Sequence, residues 1–278
     1  MSVVEIFGYP FMLRALAAGV LIALLCGALG VFLVLRRLSL IGDGLAHVSF
    51  GAVAAALFLG VSARHLSVAA IPVVMLAGVA IHRLMKNSRF HGDAAIGIVS
   101  AAGVSTGVIL TSVAGGTPVD MMSFLFGNIL SITDGELLAA AILCAVALAG
   151  IVLSYHELFA TTFDEDLART SGVRVTRVTT LLTVLTAVTV VLSMRLVGVM
   201  LISALLIIPA STALSFSAGF RATILLSMVI AIVSVIAGVI LSVIANLPTG
   251  ATIIVVCLAL FLLATGYDSY RRSAAGGA

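Results

Sequence analysis

Long apolar runs, each closed by a charge, a proline or a cluster of small polar residues, dominate this 278-residue chain. They lie at about 11–35, 45–61, 66–84, 94–113, 136–155, 178–194, 197–216, 222–245 and 250–266, close to the ~20 residues a helix needs to cross a bilayer. No water reaches the hydrocarbon to bond free backbone groups, so runs of this length predict helices. Several of the nine are short or interrupted by glycine. Only Arg195 marks a break between 178 and 216, and eight spans with a re-entrant segment fit that stretch as well. The expected fold is an all-α integral membrane protein with eight or nine spans, forming a single membrane domain over residues 1–278.

Composition strengthens this picture. Hydrophobic residues make up 62% of the chain and charged residues 9%, where a soluble domain carries roughly 25% charged. The stretch from Met1 to Pro10 is acidic and runs into the first apolar segment without a small-residue cleavage site, so no removable signal peptide is expected. Cys26, Cys144 and Cys257 each lie within an apolar run and lack the short spacing of a thiolate metal site, which predicts buried core thiols.

The charges are few but unevenly placed. If the connection after the first span is cytoplasmic, the inner side collects Arg36, Arg37, Arg83, Lys86, Arg89, Arg169, Arg174, Arg177, Arg221, Arg271 and Arg272, leaving Arg14, Arg64 and Arg195 outside. By the positive-inside rule the N-terminus is then external and the C-terminus cytoplasmic.

Two connections are longer than a simple reversal requires. The outer one, from Ala114 through Phe124-Leu125-Phe126-Gly127-Asn128 to Asp134-Gly135, mixes turn residues with aromatics and reads as a gate, a docking surface or a partly buried loop. The inner one, Tyr155 to Val175, holds Asp164, Glu165 and Asp166, then Arg169, then Gly172. Acids first, a base last and glycine as a stop describe a short helix that its own dipole favours. So short a helix is marginal in water, and it packs against this membrane domain or a separate subunit, or lies solvated on the surface.

Asp43 and His47 are the most informative polar residues. They stand four apart where Arg36-Arg37 gives way to an apolar run, so a helix puts both on one face a turn apart. A carboxylate and an imidazole can meet one first-row divalent ion, and a hard ion would ask for more oxygens. Two ligands are too few for a closed structural site, whereas a passing ion needs incomplete coordination, which a second copy of the chain can supplement. The competing reading makes Asp43 the N-cap of the second span, which leaves His47 without a role.

Asp93 is expected to cap the fourth span, with an accessory polar role at the inner mouth, shared with His91, as the alternative. His65, His82 and His156 read as interfacial or surface residues. Pro209 interrupts a span and marks a hinge or a kink. The chain has no phosphate-binding glycine loop and no nucleophile with an evident base, so any ATP hydrolysis belongs to another chain.

From Arg36-Arg37-Leu38-Ser39-Leu40-Ile41-Gly42-Asp43-Gly44-Leu45-Ala46-His47 the sequence resembles the membrane permease of bacterial and archaeal metal-uptake ABC transporters, importers of zinc, manganese or iron. The likeness continues through Asp93-Ala94-Ala95-Ile96-Gly97-Ile98, Phe124-Leu125-Phe126-Gly127-Asn128, Val197-Gly198 and Ser203-Ala204-Leu205-Leu206-Ile207-Ile208-Pro209-Ala210, which is most of the chain. It implies a type II importer-like permease in a bacterial or archaeal cell membrane. Two copies pair there with two cytoplasmic ATPases and receive metal from an extracytoplasmic binding protein, with no nucleic-acid partner and no stably bound cofactor. The resemblance places Asp43 and His47 on the metal path. It also makes a coupling helix of about 163–172, through Asp164, Glu165, Asp166, Leu167, Ala168, Arg169 and Gly172. The Arg-Arg pair and the Leu-rich run from Val197 to Ala210 look closer to zinc permeases than to manganese ones. Two other classes remain open on the residues: a secondary carrier with Asp43 and His47 relaying protons, and a membrane anchor with no substrate.

Overall fold

The computed structural model describes residues 10–62, 65–85, 92–113, 127, 132–216 and 219–275. Eleven helices lie within them: α1 (Pro10–Leu35), α2 (Ile41–Phe58), α3 (Leu66–Met85), α4 (Gly92–Val113), α5 (Asp134–Leu153), α6 (Tyr155–Phe163), α7 (Glu165–Thr170), α8 (Val175–Val197), α9 (Val199–Leu214), α10 (Phe220–Ala245) and α11 (Thr249–Ala275). Eight are long and apolar enough to cross a membrane, and α9, with 16 residues, is a shorter apolar helix. The apolar runs of the sequence thus locate nine of the eleven helices. The break between α8 and α9 falls at Gly198, at φ +83°, and α9 continues through Pro209 to Leu214. The outer connection at 114–126 and 128–131 lies outside the described residues.

The helices fall into two compact units. The first draws on Met1–Val34, Asn128–Leu148 and Ala204–Ala278. Its helix α1 is apolar all round and buried along most of its length, as a helix without a polar face must be. Phe32 meets Phe220 edge to face at 5.4 Å, and Ser227 Oγ donates to the Gly27 carbonyl at 2.9 Å. Near the start of α1, Arg14 pairs with Asp134 at 3.2 Å. Cys26, Cys144 and Cys257 are all free and buried, as their apolar surroundings predict.

The second unit comprises Leu35–Gly127 and Ala149–Ser203. Here α2 packs against α3, α4 and α8, and α3 also lies on α8. Val68, Leu76 and Ile109 point outward, a surface that suits hydrocarbon and not water. Helix α8 buries Thr179, Thr183, Thr186, Thr189 and Ser193. The hydroxyls of Thr183, Thr186 and Thr189 bond carbonyls one turn earlier in α8 at 2.9, 2.8 and 2.6 Å, which lets threonine sit in an apolar setting.

Candidate functional site

A tight turn leads from Arg36 into α2. Arg37 adopts φ +57°, and the Ile41 amide bonds the Leu38 carbonyl at 3.0 Å. The N-cap residue is Leu40, whose side chain makes no cap hydrogen bond. Asp43 is therefore already inside the first turn of α2, and the reading in which it serves as the N-cap is set aside. Its carboxylate turns elsewhere. Oδ2 lies 3.5 Å from His47 Nε2, the one-turn pairing that four-residue spacing allows. Oδ1 accepts a hydrogen bond from Ser203 Oγ at 3.3 Å. Ser203 sits in α9 and also lies 3.3 Å from the Val199 carbonyl, so its proton is shared between two acceptors.

The side chains of Asp43 and His47 are 39% and 31% exposed. Carboxylate, imidazole and hydroxyl thus meet at a half-open point supplied by two helices. Among the described residues no group of three or more His, Cys, Asp or Glu side chains forms a metal cluster, so the ionisable donors here are the pair alone. That donor set suits a first-row divalent cation passing with part of its water shell.

Helix α4 fixes the depth of α2. A Cβ placed on Gly103 would stand 2.6 Å from the Val48 Cα and 3.1 Å from the His47 carbonyl oxygen, and one on Gly51 would run into the Gly103 carbonyl. Only glycine permits two helix backbones to approach so closely, a common packing device in lipid. The backbone that carries His47 is therefore seated directly on α4.

Asp93 is the second residue of α4, within its first turn. It lies one position inside the helix and not at the cap, where a carboxylate still favours the positive end of the dipole. No hydrogen bond or ion pair joins it to Asp43 or His47 among the described residues. His91 lies outside the described residues. Ser203 is the member of the site that residue chemistry does not pick out, since a serine 160 positions from Asp43 carries no spacing signal.

The connection between α5 and α8 holds two helices. The chain breaks at Asp164, extended at φ −151° and ψ 104°, and Asp164 caps α7 by accepting the Leu167 amide at 2.8 Å. Arg169 pairs with Glu165 at 3.1 Å and approaches Asp166 at 3.8 Å. At the end of α7 the Gly172 amide bonds the Arg169 carbonyl at 3.2 Å and the Val173 amide bonds that of Ala168 at 3.0 Å. With Gly172 at φ +86°, this is a Schellman stop, a left-handed position suited to glycine. Ala168 and Leu158 face inward, whereas Leu167 and Phe163 are 63% and 61% exposed. Along α6 the Tyr155 and Phe159 rings stack with centroids 6.4 Å apart, and Phe163 meets Phe159 tilted at 4.8 Å.

Arg36 stands between these regions. Its Nη2 donates to Thr179 Oγ1 of α8 at 2.7 Å. Burial pulls its pKa below the usual arginine value, and the Glu165 carboxylate opposes that shift.

Among the described residues eight apolar helices are long enough to span a membrane, and one of them carries a half-open polar point, the architecture of a multi-pass membrane protein. The chain belongs to the ABC 3 transport family, which it matches over residues 8–268. It is a permease subunit, and in such transporters the ATPase is a separate subunit. It is 32% identical over 94% of its length to the manganese transport system membrane protein MntC of Halalkalibacterium halodurans, covering 88% of that protein. It is 30% identical over 92% of its length to the high-affinity zinc uptake system membrane protein ZnuB of Haemophilus influenzae, covering 97% of it. Among solved structures it is similar to PsaBC from Streptococcus pneumoniae in complex with Fab, with a TM-score of 0.83, 31% identity and 95% of each chain covered.

Proposed function

We propose that this chain is the membrane permease of an ATP-driven importer for a divalent transition metal, with zinc as the first candidate and manganese or iron as the alternative. One observation carries the reading: in α2 a carboxylate and an imidazole lie 3.5 Å apart and partly open, and the carboxylate does not cap its own helix. The relatives named for manganese and zinc are similar to this chain to nearly the same degree and do not separate the two metals. Zinc is favoured by the imidazole, because manganese prefers an all-oxygen set.

In this reading two copies form the pathway in a bacterial or archaeal cell membrane, with N-termini outside and C-termini in the cytoplasm, as the charge distribution favours. An extracytoplasmic binding protein delivers the metal. Asp43 and His47 replace part of its water, Ser203 holds Asp43 in place, and too few ligands converge to retain the ion. ATP binding to two cytoplasmic ATPases moves α7, which docks on them, and the pathway opens to the other side. The expected coupling segment of about 163–172 contains α7 with its Asp164 cap and Gly172 stop. Pro209 serves as a flexible point within α9.

The test is elemental analysis of zinc, manganese and iron in cells expressing the chain with its ATPase and binding protein, set against Asp43→Ala at equal membrane level. Loss of one metal names the substrate; unchanged levels of all three overturn the proposal. Depleting ATP while keeping the proton gradient stops uptake on this reading, whereas continued uptake identifies a proton-coupled carrier.

A further inference from the structure

We propose that Arg36 is the positioning residue that couples α7 to the metal-bearing helix α2, by holding α8, against which α7 packs. The inference rests on the importer reading above and assigns a role that reading leaves empty: how motion at α7 reaches Asp43 and His47.

Arg36 immediately precedes the tight turn that launches α2. That turn is stiff, with Arg37 in the left-handed region and backbone bonds from Ile41 to Leu38 and from Gly44 to Leu40, both at 3.0 Å. A displacement of Arg36 is therefore carried into the first turn of α2, where Asp43 lies. On its far side, Nη2 is tied to the buried Thr179 hydroxyl of α8 at 2.7 Å. The other terminal nitrogen, Nη1, is buried and has no hydrogen-bond partner among the described residues.

A buried guanidinium donor left unbonded is costly, and the cost disappears when an acceptor arrives. Helix α7, which carries Glu165, packs against α8, the helix that holds Thr179, and the Glu165 charge acts on Arg36. In this structure Glu165 is held by Arg169 at 3.1 Å across an exposed face of α7. An exposed ion pair of this kind is weak, and the fork of arginine donors can serve Thr179 and a carboxylate together. The arrangement is a two-position switch. With α7 as it stands, Glu165 pairs with Arg169; when α7 shifts, Glu165 exchanges Arg169 for Arg36 and pulls on the turn before α2. A lysine at position 36 keeps the charge but loses the fork, so it can hold only one partner well.

The experiment uses the permease reconstituted in liposomes with its ATPase subunit and binding protein, reading ATP hydrolysis and radioactive zinc or manganese uptake from the same vesicles. Arg36→Gln and Glu165→Gln are each expected to keep ATP hydrolysis while metal moved per ATP falls by at least about tenfold, within the range of ordinary site-to-site couplings. The double variant is expected to be no worse than the worse single one, and Arg36→Lys to recover part of the ratio. Glu165 is exposed, so its variant carries the test even if Arg36→Gln fails to insert. Wild-type vesicles that import metal, with Glu165→Gln at the wild-type ratio to within about twofold, overturn the relay and leave the importer reading standing. Singles whose defects multiply in the double variant also overturn it. Wild-type vesicles that hydrolyse ATP and take up no metal overturn the importer reading, and the relay with it.

Discussion

Helices α2 and α7 both carry acids near their N-termini, yet they use them in opposite ways. In α7 the local helix accounts for each acid: Asp164 caps it, and Glu165 and Asp166 lie against Arg169 one turn on. In α2 the local backbone makes no use of Asp43, whose two oxygens go to His47 and Ser203. An acid consumed by its own helix explains itself, whereas one facing other polar groups in an apolar span asks for a ligand. The contrast also bears on the docking proposed for α7. Its acids are engaged within the helix, which leaves the exposed Leu167, with Phe163 just before it, as the proposed contact for a partner. Charge reversal of the acids therefore tests helix integrity as much as docking, and Leu167 is the cleaner probe.

The largest expected effect follows from removing the charge and keeping the shape of the Asp43 side chain. Asp43→Asn is expected to lower metal uptake by about 100-fold, the upper end of the loss from disturbing a metal ligand's support. Asp43→Ala, which unlike asparagine cannot cap, should leave thermal stability in detergent unchanged. A fall of about 1 kcal/mol, that of a lost cap, would erase the distinction between the two helices.

Next in size is the seat of α2 on α4. Gly103→Leu is expected to destabilise the purified protein by about 1–3 kcal/mol, as overpacking of a filled interface does. Thermal unfolding in detergent measures it, and no change there would mean that α4 does not fix the backbone of His47.

On the other side of the comparison, Asp164→Ala is expected to cost about 1 kcal/mol, with Asp164→Asn near neutral because asparagine also caps. Leu167→Asp should leave stability unchanged and release the ATPase in co-purification. The reverse pattern, with Asp164→Asn releasing the ATPase, would return the docking role to the acid. The smallest effect belongs to Ser203→Ala, a loss of uptake of roughly threefold to tenfold, at or below the low end for groups that orient a ligand.

Much of this was legible in the chain, for physical reasons. Apolar runs located the long helices, all but the end of α11 to within a few residues, because hydrocarbon leaves helix as the only open-ended way to satisfy a backbone. The largest slip at a functional element was the start of α2. The run was expected from 45, since a charge at Asp43 reads as a membrane edge, but the helix begins at Ile41 and takes the acid inside. Similarly, α11 runs past 266 to Ala275, because a helix need not stop where its hydrophobicity does. Gly172 was readable as a stop, and Asp43 with His47 as a pair, because both follow from spacing within one helix. Ser203 was not, since its contact with Asp43 depends on how α9 lies against α2, and periodicity holds no information about that.

The most direct measurement of the central claim is radioactive zinc and manganese uptake into liposomes carrying the permease, its ATPase and its binding protein, with Asp43→Ala and Asp164→Asn compared side by side. The account predicts that Asp43→Ala abolishes uptake of the transported metal with the ATPase still bound, and that Asp164→Asn imports like the wild type. Uptake by Asp43→Ala at the wild-type rate would contradict it.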